Sequence, residues 1–310
     1  MRRLQMLMAL ATVLLLCLGA PATGTIYWTP AHELAPQGYA CRMAAGDLDG
    51  DGDIDISLFS ALPIEQFWNI GTPTDPAWQF GPSPFPGVPS CTQQSGGLGD
   101  LDADGDLDVV VTCAYDEHIS CYWNRGTPTS PVWEEDLLVF AGIQIAQGHA
   151  CPRLADADAD GDLDALVGSW TGRIRYIRNI GTASEPQFEY VGWIDGIPQA
   201  VSTNPTFGLA DLDSDLDLDI VRVSYDTECE CFENVGTPTD FEFAVSASML
   251  AGVDLPLSGY GKGIELMDID ADGDPDLILA RGYGENLLFL NEGTTPVEPM
   301  SWGVIKAMYR

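Results

Sequence analysis

Five stretches of this 310-residue chain place aspartates on alternate residues: 47–55 (DLDGDGDID), 100–108 (DLDADGDLD), 156–164 (DADADGDLD), 211–219 (DLDSDLDLD) and 268–276 (DIDADGDPD). Carboxylates at this density repel one another, so an ordered loop of this kind requires a cation, and hard oxygen ligands at short intervals suit calcium. Side chains at positions 1, 3, 5 and 9 and the backbone carbonyl at position 7 are the expected donors. The candidate ligands are Asp47, Asp49, Asp51, Asp53 and Asp55; Asp100, Asp102, Asp104, Asp106 and Asp108; Asp156, Asp158, Asp160, Asp162 and Asp164; Asp211, Asp213, Asp215, Asp217 and Asp219; and Asp268, Asp270, Asp272, Asp274 and Asp276. They provide for up to five calcium ions.

Position 6 is Gly52, Gly105, Gly161 and Gly273 in four loops, which suits a sharp turn needing positive φ. The fourth loop carries Leu216 there and is expected to be the weakest site. The spacing fits the first nine positions of an EF-hand. Position 12, however, is Leu58, Val111, Val167, Arg222 or Leu279 instead of a bidentate Glu, and flanking helical periodicity is weak. The loops therefore read as calcium turns inside β-hairpins.

The loops begin 53 to 57 residues apart, which marks a repeat architecture. In the third repeat Leu154-Ala155 lead into the loop, and the apolar run Ala165 to Gly168 follows it. Gly172 to Ile177 alternate as the next strand, and Gln187 to Val191 form another. A second mark keeps the register: Asn69-Ile70-Gly71-Thr72, Asn124-Arg125-Gly126-Thr127, Asn179-Ile180-Gly181-Thr182, Asn234-Val235-Gly236-Thr237 and Asn291-Glu292-Gly293-Thr294, read as structural turns. Four-stranded units repeated around an axis predict an all-β fold, a β-propeller, with five blades favoured over six or seven. Each repeat is expected to own its fourth strand. That leaves Thr25-Ile26-Tyr27-Trp28 as a spare, suited to the edge of the last blade.

The pattern ADADADGDLDALVG…GRIRYIRNIGT…PQF resembles the FG-GAP-like, or VCBS, repeats of secreted bacterial proteins, related to the calcium-binding blades of the integrin alpha-subunit propeller. The resemblance spans all five repeats and implies that the loop aspartates named above are calcium ligands. It departs from the family in three ways. Phe-Gly survives only as Phe207-Gly208, no Gly-Ala-Pro follows a loop, and Leu216 replaces the fourth glycine. Integrin-type blades usually number seven, so the resemblance does not fix the blade count. Nor does it fix function, because the fold serves adhesion, carbohydrate binding and some enzymes.

Met1-Arg2-Arg3, the apolar run to Leu18 and Ala20-Pro21-Ala22 read as a secretory signal over residues 1–22, leaving a propeller over 23–310 without a further membrane span. The expected location is extracytoplasmic or secreted. With 13 basic against 47 acidic residues the formal charge is −34, which excludes nucleic acid and anionic membranes as partners. Removing Cys17 with the signal leaves seven cysteines. Cys113 and Cys121 flank a hairpin and are expected to face each other, whereas Cys229 and Cys231 sit too close on one strand to bond. Cys41, Cys91 and Cys151 read equally well as small buried residues or as bridge partners.

No nucleophile elbow, zinc spacing or phosphate loop is present, and His32, His118 and His149 fall in unrelated places. The first reading is a non-catalytic binding or adhesion module for an extracellular glycan or protein. A polysaccharide-active enzyme and a structural surface component are the alternatives. Turns opposite the calcium loops carry Tyr115, Trp170, Tyr225 and Tyr283, placed to stack on sugar rings or anchor a protein, or simply to pack over neighbouring turns.

Overall fold

The structure, a computed structural model, describes residues 26, 28–34, 42–59, 63–72, 75–89, 91, 94–114, 117–145, 150–200, 205–224, 229–251, 253, 262–281, 286–291 and 293. Among the described residues twenty strands form five antiparallel four-stranded sheets. Blade one is β2 (Met43–Gly46), β3 (Asp55–Leu58), β4 (Glu65–Asn69) and β5 (Trp78–Gly81); blade two is β6 (Ser95–Gly99), β7 (Asp108–Thr112), β8 (Ile119–Asn124) and β9 (Trp133–Asp136). Blade three is β10 (Cys151–Ala155), β11 (Asp164–Gly168), β12 (Ile174–Asn179) and β13 (Phe188–Trp193), and blade four is β14 (Thr206–Ala210), β15 (Asp219–Val223), β16 (Glu230–Asn234) and β17 (Phe243–Val245). Blade five is β18 (Lys262–Met267), β19 (Asp276–Arg281), β20 (Asn286–Asn291) and the N-terminal β1 (Trp28–Leu34). The fold is a five-bladed β-propeller. Among the described residues no helix is long and apolar enough to cross a membrane.

The second strand of each blade explains why the chain folds this way. Strands β7, β11 and β15 are buried on both faces, which their near-continuous apolar sequence requires. Neighbouring blades share their apolar faces, giving five clusters, one at each blade-to-blade junction. Met43, Ile56, Leu58 and Phe67 of blade one pack with Ile269, Ile278, Ala280 and Leu288 of blade five, and that junction closes the ring.

The N-terminal strand is not a spare. It occupies the outer place of blade five, pairing antiparallel with β20 from Trp28 opposite Asn291 to Leu34 opposite Asn286. This corrects the expectation that every repeat owns its fourth strand. The pairing edge is the predicted one, and the strand runs further along the chain than the Thr25–Trp28 stretch. Ile26 and Trp28 are buried in the junction of blades four and five, where Trp28 Nε1 donates to the Met249 carbonyl at 2.7 Å.

The cysteine expectation is also corrected. Cys91 bonds Cys113, with Cα atoms 6.0 Å apart, while Cys121 is free and buried. The register gives the reason: β7 and β8 place Cys121 opposite Val110, and Cys113 lies beyond the last pair, Thr112 with Ile119. Cys151 and Cys231 are free and buried, so Cys229 and Cys231 do not bond each other, and Cys41 lies outside the described residues.

On the axis, the third residue before each loop is Ala44, Gly97, Arg153, Gly208 or Glu265. Arg153 reaches across three blades. Its Nη1 donates to the carbonyls of Pro152 (3.0 Å) and Gly96 (3.4 Å), and its Nη2 to that of Ile264 (2.7 Å), with Glu265 Oε2 at 3.2 Å.

Candidate metal centres

Each acidic loop joins the first and second strands of its blade, so all five lie at one end of the ring. The first aspartate shapes the turn. Asp47 accepts the N–H groups of Gly50 (2.7 Å), Asp51 (3.2 Å) and Gly52 (3.0 Å). Asp100, Asp156, Asp211 and Asp268 likewise accept the N–H groups of positions 5 and 6 in their loops. The glycines at position 6 have φ of 93° to 98°, as the sequence implies. Leu216 adopts φ 77° with its side chain in solvent, so the fourth loop keeps its shape against a steric preference. Position 4 was missed: Ala103, Ala159, Ser214 and Ala271 are also left-handed, at φ 56° to 63°. The signal available was Gly50 at that place in the first loop.

The ninth aspartate is the pivot between the loop and the rest of the blade. Its Oδ2 accepts the N–H of position 2, and its Oδ1 accepts the N–H of the turn asparagine. That asparagine then folds its own turn. Asn69 Oδ1, for instance, accepts from Gly71 (3.1 Å) and Ala77 (2.9 Å), and Asn124, Asn179 and Asn234 repeat the arrangement. Gly71 leaves no room for a Cβ against the carbonyl of Asp75, which accounts for the glycine two residues after the asparagine.

Three carboxylate oxygens lie within 4.8 Å of one another in every loop: from Asp47, Asp49 and Asp55; Asp100, Asp102 and Asp108; Asp211, Asp213 and Asp219; Asp268, Asp270 and Asp276; and, in the third loop, Asp156, Asp158 and Asp160. Oxygens that each bind calcium at about 2.3–2.6 Å can stand no further apart than about 5 Å, so this spacing fits the ion. In the other four loops position 5 stays outside the triad, accepting the N–H of position 7, as Asp51 does from Asp53 at 3.0 Å.

The donor set also passes a stricter test. Oδ1 of Asp49, Asp102, Asp158, Asp213, Asp162 and Asp217 is buried and has no hydrogen-bond partner. A buried carboxylate oxygen without a partner carries a desolvation cost that a bound cation offsets. Burial accordingly raises the carboxyls of position 9, despite the N–H donors they accept: Asp55, Asp108 and Asp276 to about 7, Asp164 to about 6 and Asp219 to about 8. Burial and the neighbouring Asp215 raise Asp213 to about 6 and Asp217 to about 7.

Of the four aromatics, Trp170 lies in the Ser169–Arg173 turn between β11 and β12, at the end opposite the loops, and is 41% exposed. Tyr115, Tyr225 and Tyr283 lie outside the described residues. The sequence reading also passed over a cavity of about 140 Å³ on the axis, lined by Arg153, Glu265, Leu98, Leu154, Leu209 and Leu266 among others. Its signal was the two charged residues where the other repeats place alanine or glycine.

Fold and site together define a five-bladed β-propeller with one acidic loop per blade. Residues 100–167 match the FG-GAP-like repeat family, the stretch from the second loop through the third. Among curated protein sequences no significant match was found. Among solved structures, a β-fructofuranosidase from Schwanniomyces occidentalis complexed with fructosyl-erythritol superposes with a TM-score of 0.53 at 8% identity, over 90% of this chain and 64% of that one. An Agrocybe aegerita lectin recognising non-reducing terminal N-acetylglucosamine gives 0.45 at 17% identity, over 92% of this chain and 69% of that one. The Tc holotoxin pore of Photorhabdus luminescens gives 0.45 at 14% identity, over 88% of this chain but 15% of that one. At 8% identity the likeness to the first of these speaks for the fold alone.

Proposed function

We propose that this protein is an exported calcium-binding propeller that acts as a non-catalytic recognition module for an extracellular glycan or protein. The observation that carries the calcium reading is the convergence of carboxylates in all five loops, with buried, unpartnered oxygens at position 3 in four of them. Positions 1, 3 and 9 would hold the ion in four loops, and Asp156, Asp158 and Asp160 in the third. Bound calcium supplies two positive charges to a loop that otherwise holds five carboxylates, and so stabilises the fold by mass action.

Support for export comes from the leader-like residues 1–22 and from the Cys91–Cys113 bridge, a bond that persists in oxidising compartments. Support for recognition comes from Trp170, held on a short turn by Ser169 and Thr171 at the end away from the metal loops. An aromatic fixed in this way loses little freedom on meeting a ligand. The test has two arms. Calorimetry of the full chain should show calcium binding that a chelator reverses. Binding to an array of immobilised glycans and to extracellular proteins should fall at least tenfold in Trp170→Ala with Tyr225→Ala, with calcium-dependent melting unchanged. Ligand binding that survives both substitutions would move the recognition surface elsewhere.

A further inference from the structure

In the second and third loops a guanidinium already sits on the acidic cluster. Arg125 Nη1 donates to Asp102 Oδ2 at 2.6 Å, and its Nε to Glu134 Oε2 at 3.2 Å. Arg178 places Nε 2.7 Å from Asp158 Oδ2 and Nη2 3.5 Å from Asp160 Oδ2. The two arginines come from different places: Arg125 follows the turn asparagine of blade two, and Arg178 precedes that of blade three. At the first place the other repeats carry Ile70, Ile180, Val235 and Glu292; at the second, Trp68, Trp123, Glu233 and Leu290. Among the described residues no ion pair reaches the loops of blades one and four. Blade four places the carboxylate of Glu233 where blade three has Arg178.

The contacts are selective within each aspartate. Arg125 and Arg178 take Oδ2 of Asp102 and Asp158, and Oδ1 of both stays buried without a partner, as in Asp49 and Asp213, which have no arginine. The arginines therefore hold the outer oxygen and leave the inner one for a cation. A fixed positive charge one carboxylate away from that position has two effects of opposite sign. It relieves repulsion within the metal-free loop, and it repels an incoming divalent ion.

We propose that Arg125 and Arg178 are resident counter-cations that divide the loops into two classes. Loops two and three keep their shape without metal and bind calcium weakly; loop one depends on calcium and binds it about tenfold more tightly. Loop four is set apart by Leu216. This rests on the calcium reading, but its metal-free half stands alone.

The experiment compares the parent chain with Arg125→Met, Arg178→Met, their combination and the charge-keeping Arg178→Lys. Amide exchange at low salt with a chelator should show loops two and three exchanging more slowly than loop one. The double variant should erase that difference, while Arg178→Lys keeps most of it. Calcium calorimetry should then show two of the parent's sites tightening about tenfold in the double variant. Unchanged or weakened calcium binding in the double variant would overturn the proposal, since the arginines would then be positioning ligands. Equal exchange in loops one, two and three of the parent would overturn it as well. A parent chain that binds no calcium, yet loses protection in the double variant, would sink the calcium reading and leave the counter-cation role standing.

Discussion

The backbone N–H of Asn179 donates to Oδ1 of Asp164 at 2.6 Å, joining the end of an acidic loop to the turn that follows the third strand of the same blade. The same oxygen pair serves two structures, because Asp164 Oδ2 also accepts the N–H of Ala157 (3.3 Å) and the Tyr176 hydroxyl (2.9 Å). Asp164 is thus a metal-loop residue and a fold residue at once. Asp164→Ala should cost about 2–4 kcal/mol with or without calcium, because buried donors lose their acceptor. Asp160→Ala, at an exposed position, should weaken calcium binding and leave the chelated protein's melting temperature within about 2 °C. Denaturant unfolding of both variants in calcium and in chelator checks the contrast; equal losses would contradict it.

The position-nine carboxyls also set a pH dependence. In the metal-free fold burial holds them between about 6 and about 8, against about 3.9 in an unfolded chain. The folded state therefore binds more protons than the unfolded one, so stability falls as pH rises through that window. Chelated protein should melt at a higher temperature at pH 5 than at pH 8. Calcium requires deprotonated ligands, so the gain it confers should run the other way, largest at pH 8. A chelated melting temperature that climbs from pH 5 to pH 8 would show these carboxylates to be ionised in the metal-free fold.

Leu216 makes a separate prediction. A leucine at φ 77° pays a conformational cost of roughly 1–2 kcal/mol that glycine avoids, and its exposed side chain contributes no packing in return. Leu216→Gly should stabilise the fold by about 1 kcal/mol and tighten calcium at the fourth loop. Ala159→Gly, at φ 57° in the third loop, should stabilise by a similar amount, because the left-handed cost falls on any residue with a Cβ. If Leu216→Gly is destabilising in chelator, the left-handed turn is held by something other than local preference.

The features legible in the sequence are those whose chemistry is local and repeated. The alternate aspartates, the glycine at position 6 and the Asn-x-Gly-Thr turn each interact within one blade, so five copies reinforce one reading. What escaped depends on contacts between blades or on register. Cys113 looked toward Cys121 across a hairpin, and only the pairing of Val110 with Cys121 shows why it turns to Cys91. Arg153 and Glu265 lie 112 residues apart and meet only because the ring closes around them. The fifth blade's outer strand came from the opposite end of the chain, which a repeat-by-repeat reading cannot assign.

That strand yields the last prediction. Removing residues 26–34 strips β20 of its partner and uncovers the junction of blades four and five, where Ile26 and Trp28 are 1% and 6% exposed. Losing a buried tryptophan alone costs about 3–5 kcal/mol, and an open apolar edge strand invites pairing with other chains. Trp28→Ala should therefore lower stability by that amount while the protein stays monomeric. The truncated chain should lose cooperative melting or elute as higher oligomers in size-exclusion chromatography. Adding the peptide 26–34 back should restore the monomer, since the groove against β20 is the same in cis or in trans. A truncated protein that melts like the parent would mean that blade five closes without β1, and the ring would need another latch.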